Sequence, residues 1–147
     1  MKICFCTSIF SRDGNLPDTP GHFEKLKEYD YYCFTNIDKS KFDTSWDIIK
    51  INLDKEIGNF KRIITVSRYP KFMAWEYFKK KHIEYDVIYY CDGFCSPRND
   101  INWNLLSEFI NVCDNIPLYV LSSSCNIPII ISGSFTSKSS VFKSEES

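Results

Sequence analysis

A chain of 147 residues is long enough to form one domain whose core needs neither disulfides nor a structural metal. Its composition, 44% apolar and 25% charged, is that of an ordinary globule, and a net charge of −1 gives the chain as a whole no electrostatic drive toward nucleic acid or acidic membranes. No run approaches the roughly 18 apolar residues of a transmembrane helix.

Residues 2 to 10, "KICFCTSIF", read as a first strand. The apolar run is short, and it lacks the basic leader and small-residue cleavage site of a secretory signal. "SRDGNLPDTPG" is a loop, crowded with Gly, Pro, Asp and Asn. "HFEKLKEYD" is expected to form a short helix. "YYCFTN" (31–36) is dense in β-formers and reads as a second strand, and "WDIIKINL" (46–53) as a third. Residues 60–81 carry the longest helical pattern, with Val66, Tyr69, Met73 and Tyr77 on one stripe. Pro70 suits a helix that starts near Ser67, because proline is tolerated in a first turn and Ser67 is then the cap.

"DVIYYCD" (86–92) is a continuous apolar run between two acids, as in a strand covered on both faces. "NWNLLSEFINVC" (102–113) reads as a helix with Leu105, Phe109 and Val112 on one face. "IPLYVLSS" (116–123) and "IPIIIS" (127–132) read as further strands. The expected domain spans residues 1–131, and the Ser-rich segment 132–147 is expected to be a disordered tail. Strands alternating with helices predict an α/β fold: a Rossmann-like, mostly parallel sheet flanked by helices.

The cysteine count, seven, is odd, and Cys4, Cys6, Cys33 and Cys91 lie inside apolar runs. Free buried thiols imply a reducing, cytoplasmic compartment. Cys91 and Cys95 lack the second pair or nearby histidine that a zinc site needs. His22 and His82 are isolated. "KKKH" is too short a basic run to imply nucleic acid and reads as a solvated helix end.

In parallel sheets ligands bind beyond the carboxyl ends of the strands. That rule singles out Thr7 and Ser8, Thr35 and Asn36, and Asp92 with Gly93. Asp92 has two readings. Alone, it caps the turn after its strand; as a ligand, it suits a hard cation such as Mg²⁺ or Mn²⁺ bridged to phosphate. Gly93 would let the backbone approach such a ligand. Arg68 and Lys71 are three residues apart and share one side of a helix. In a first turn they would oppose the macrodipole unless an anion sat there; as ordinary surface cations they would be solvated, and the sequence supports both equally.

The order of these pieces resembles glycosyltransferases of the GT-A fold, in particular a family of plant, bacterial and viral glycosyltransferase-like domains. The matching stretches are "KICFCTSIF", "YYCFTN", "SWDIIKI", Arg62, Arg68 and Lys71 on a helix, and "EYDVIYYCDG". They agree in order and spacing over residues 1 to about 112. The resemblance implies a nucleotide-diphosphate sugar donor, a UDP- or GDP-sugar, and an acceptor that the motifs do not name. It implies that strand one and Thr35–Asn36 border the nucleoside, that Arg68 and Lys71 neutralise the diphosphate, and that Asp92 holds a divalent Mn²⁺ or Mg²⁺. Two features depart from the pattern. Position 94, where the second acid of an Asp-x-Asp motif falls, is Phe. No acceptor-half motif follows residue 112, so the alternative expectation is a non-catalytic, truncated remnant acting as an interaction module.

Overall fold

The computed structural model describes residues 1–52, 63–93, 95–112 and 129–131. The chain forms strands β1 (Ile3–Ile9), β2 (Asp30–Thr35) and β3 (Asp47–Lys50), helix α1 (Ile63–Lys80), strand β4 (Val87–Tyr90), helix α2 (Trp103–Val112) and strand β5 (Ile129–Ile131). The sheet order is β3-β2-β1-β4-β5. The first four strands are parallel, and β5 runs antiparallel along β4. This is a small Rossmann-like α/β domain, as the alternation of elements predicts. Residues 116–123 and 132–147 lie outside the described residues.

The strand β1 is central and buried on both faces, which its unbroken apolar run requires. Alternation divides its side chains. Ile3, Phe5 and Ile9 join Tyr31, Cys33, Val87 and Tyr89 on one face, under Trp103 of α2. Cys4, Cys6 and Phe10 join Phe34, Ile88 and Tyr90 on the other, under Val66, Ala74 and Phe78 of α1. On the α2 face, Phe5 stacks between its register partners: the Tyr31 ring lies 5.2 Å away and the Tyr89 ring 5.3 Å. Trp103 closes this row edge-on at 4.9 Å. The free cysteines of the core behave as small hydrophobes: Cys4, Cys6, Cys33 and Cys91 are buried, and burial pushes the Cys33 thiol up to about 12. No helix among the described residues is long and apolar enough to cross a membrane.

Three expectations change. Residues 22–27 are irregular rather than helical. A segment this short cannot offset helix nucleation by itself, and side chains capture its backbone donors instead. The Phe23 amide donates to Ser45 Oγ at 2.8 Å and the Leu26 amide to the Tyr31 hydroxyl at 3.2 Å. Phe23 then packs on Tyr31 and Trp46. Helix α1 starts at Ile63, not near Ser67, so Pro70 is interior and Ser67 is not a cap. Its buried stripe is Val66, Pro70, Ala74 and Phe78, with Tyr69 and Tyr77 only partly covered. On α2, Leu105 is 62% exposed, and the inward side chains are Trp103 and Ser107. The Ser107 hydroxyl satisfies the buried Tyr89 hydroxyl at 2.7 Å, a polar partner that a purely apolar stripe overlooks.

Helix α1 ends in a Schellman motif. The Ile83 amide donates to the Phe78 carbonyl at 2.9 Å, and the His82 amide to the Lys79 carbonyl at 3.0 Å. His82 occupies the left-handed position, with φ of 58°, where glycine is normally found. Replacing His82 with Gly is expected to raise stability by about 0.5–1 kcal/mol, after discounting the extra freedom glycine adds to the unfolded chain. Equilibrium urea unfolding measures it; a lower midpoint for the variant would contradict this account of the helix end.

Candidate functional site

Because α1 packs antiparallel to the strands, its first half lies at their carboxyl edge. Ser67 touches Ser8 near the end of β1, whereas Phe78 packs against Tyr32 and Tyr85, near the opposite edge. The carboxyl edge therefore gathers the ends of β1, β2 and β4 with the front of α1.

A hydrogen-bond chain ties three of these elements together. Ser8 Oγ donates to the Ser67 carbonyl at 2.8 Å. Its lone pairs therefore face the Tyr90 hydroxyl, which donates to it at 2.7 Å. The accepting carbonyl lies one turn before Pro70; the proline leaves the Val66 carbonyl without its i+4 amide and its ring crowds the same turn. Lys71 Nζ lies 5.7 Å from the centroid of the Tyr90 ring, within cation–π range. Burial pushes the Tyr90 phenol up, and the nearby Asp92 carboxylate pushes it further, so Tyr90 is a neutral donor. A base on α1 thus lies over the last ring of β4, two residues before the exposed Asp92. The sequence reading counted Tyr90 only as core; the one available signal was a hydroxyl-bearing ring in the last position of a buried strand.

The other candidates fall out differently. Thr7 and Thr35 are fully buried. Thr35 Oγ1 accepts the Ile37 amide at 3.0 Å, and among the described residues Thr7 Oγ1 has no partner. Asn36 reaches across to the end of β1, where its side chain accepts from the Ser11 amide at 2.9 Å and donates to the Ser11 carbonyl at 2.7 Å. Asp92 is exposed and accepts the Cys95 amide through its carbonyl at 2.8 Å, which closes a turn. Gly93 is buried, and a Cβ there would lie 2.8 Å from Ile9 Cγ1. Its glycine is demanded by packing against β1, a reason internal to the fold. Arg68 is exposed, Arg62 and Phe94 lie outside the described residues, and no ion pair joins Asp92 to Arg68 or Lys71 among the described residues. The macrodipole argument for a bound anion lapses, since neither Arg68 nor Lys71 is in the first turn of α1.

As a metal centre the donor set is thin. No group of three His, Cys, Asp or Glu side chains gathers among the described residues. Asp92 offers one exposed carboxylate, which fits only a hard cation whose remaining ligands are phosphate and water.

Two loops beside this edge are held by buttressed carboxylates. Asp13 accepts from the Ser11 hydroxyl at 2.7 Å and the Asn15 amide at 3.0 Å, which hold its carboxyl down at about 2. The Ser40 amide at 3.0 Å, the Ser40 hydroxyl and Lys50 do the same for Asp38, also at about 2. Lys41 Nζ reaches the Gly14 carbonyl at 2.6 Å and joins the two loops.

The chain matches no protein-family model, no curated protein and no solved structure. The class that its own geometry defines is a Rossmann-like α/β domain with a polar carboxyl edge.

The hydrogen-bond chain predicts an asymmetry. Ser8→Ala leaves the buried Tyr90 hydroxyl without its acceptor and should lose about 1–3 kcal/mol. Tyr90→Phe keeps the Ser8–Ser67 bond and should lose about 0.5–1.5 kcal/mol. The double variant should lose less than the sum; additive losses in urea unfolding would show that the two hydroxyls act independently. The two carboxylates predict an acid effect. Their folded pKa values lie below the ordinary value of about 3.9, so their stabilisation is present at neutral pH and is lost as pH falls from about 4 through about 2. The Asp13→Asn/Asp38→Asn variant should show a flatter decline in melting temperature over that window, and a slope equal to that of the parent would remove these groups from the account.

Proposed function

We propose that this domain binds a nucleotide-diphosphate sugar at the carboxyl edge of its sheet. The observation that carries the reading is Lys71 over the Tyr90 ring at the end of β4, two residues before Asp92, at the edge where parallel α/β sheets bind their ligands. The resemblance of the strand-one, strand-two and "EYDVIYYCDG" stretches to glycosyltransferase-like domains supports the same substrate class.

In this reading the ends of β1 and β2 border the nucleoside. Ser8 and Asn36 shape that surface, and Thr7 and Thr35 lie buried beneath it. Lys71, with Arg68 beside it, neutralises the diphosphate. Gly93 keeps the Asp92 turn pressed onto β1. Asp92 would hold a Mg²⁺ or Mn²⁺ that arrives on the diphosphate; such an ion would supply Lewis-acid stabilisation of the leaving nucleotide. The domain would then transfer the sugar to an acceptor. A second reading, a module that binds without transferring, is favoured by the lone carboxylate and by Phe at position 94.

Thermal unfolding with UDP- and GDP-sugars, with and without Mn²⁺, tests the proposal. At a hundredfold excess over Kd a true ligand stabilises by about 2.7 kcal/mol, so at least one donor should raise the melting temperature by several degrees. Asp92→Ala should abolish the metal-dependent part of the shift, and Lys71→Ala should weaken binding with or without metal. Release of free nucleoside diphosphate would favour transfer, and binding without release would favour the second reading. The absence of a shift with every donor would remove the proposal.

A further inference from the structure

Helix α1 carries an outer face of which the nucleotide-sugar reading uses only Arg68. We propose that its outer face docks on an anionic lipid surface. Among the described side chains of the helix, the exposed ones are Arg68, Phe72, Lys79 and Lys80. Three are cations, and the fourth is a phenyl ring left 52% exposed. Arg68, Phe72, Trp75 and Lys79 fall within an arc of about 60° over about 16 Å of helix. They read in order as cation, ring, ring, cation. The acid of the helix, Glu76, is half-buried and paired with Lys80 at 3.0 Å. Lys81 extends the positive charge beyond the helix end, its ammonium 5.5 Å from the centroid of the Tyr77 ring.

Residues 63–82 hold five Lys and Arg against one acid, a net +4 in a chain whose total is −1. The near-neutral total therefore conceals a segregated charge. The helix dipole accounts for lysines at the last turn. It accounts for neither Arg68 at mid-helix nor the exposed Phe72. A solvated helix face ordinarily mixes both signs and leaves no phenyl ring between its cations.

The chemistry selects the occupant. Long cationic side chains around Phe and Trp on a convex helix match the interfacial region of an acidic bilayer, where rings enter the acyl boundary and ammonium groups stay at the headgroups. A nucleic acid could also use these cations and rings, but a convex face offers no groove to track a phosphate backbone, and the chain as a whole carries a net charge of −1.

The test is cosedimentation of the full chain with vesicles of phosphatidylcholine alone or with one part in three phosphatidylserine. Binding is expected only to the anionic vesicles, and it should fall as salt rises. Phe72→Ser, at an exposed position, should keep the melting temperature and weaken binding about tenfold. Lys79→Glu should weaken it at least about fivefold. Trp75 emission should shift to the blue on binding, a clean signal because Trp46 and Trp103 are 3% and 2% exposed. Asp92→Ala should bind as the parent does, so loss of the nucleotide reading would leave this one standing. No binding to anionic vesicles, equal binding to neutral ones, or indifference to Phe72→Ser would each overturn the proposal. Tighter binding to a duplex oligonucleotide that ignores Phe72 would reassign the face to nucleic acid.

Discussion

The side chain of Phe5 on the central strand lies between Tyr31 and Tyr89, and Trp103 meets it edge-on. Rings stacked across a parallel ladder require the three strands to be in one register, because a shift of one residue would turn each ring to the other face. That constraint sets which ends of β1, β2 and β4 lie side by side. It places Ser8 opposite Phe34, with Tyr90 beside Cys6. Everything at the carboxyl edge inherits its position from this aromatic row.

The second constraint is the join between sheet and helix. A buried proline in the middle of α1 looks like a defect in a helix. Here the carbonyl one turn before it receives the Ser8 hydroxyl, and Ser8 in turn receives Tyr90. The helix is therefore fastened to the sheet at the place where Lys71 comes over Tyr90. The join is made by uncharged hydroxyls, and among the described residues Lys71 and Asp92 form no ion pair with one another. The outer side of the same helix, with Arg68, Phe72 and Lys79 exposed, faces away from this join.

Some of the reading was legible in the chain because it rests on local chemistry. Apolar runs in β1 and β4 had to be strands covered on both faces, and the 60–81 pattern had to be a helix. Other parts were not. The stripe on α1 moves from Tyr69, Met73 and Tyr77 to Pro70, Ala74 and Phe78 because packing distance against the sheet, and not hydrophobicity, selects the inward residues. Leu105 turns outward while Ser107 turns in to meet Tyr89. The 22–27 segment forgoes a helix because Ser45, remote in the chain, and Tyr31, just beyond the segment, take two of its amides.

The site divides in the same way. Strand-end position singled out Thr7, Ser8, Thr35, Asn36, Asp92 and Gly93, and helix spacing paired Arg68 with Lys71, but the rule did not foresee that Thr7 and Thr35 are buried. Sequence could not separate a glycine kept for a ligand from one kept for Ile9, because the contact spans 84 residues of chain. Nor could it find Tyr90, whose hydroxyl gains meaning only when Ser8 and Lys71 arrive from elements far away. Local hydrophobic pattern decided the class of fold; which side chains meet, and with what charge, was decided by tertiary packing, because distances between remote residues are set by the core and not by their own neighbourhoods.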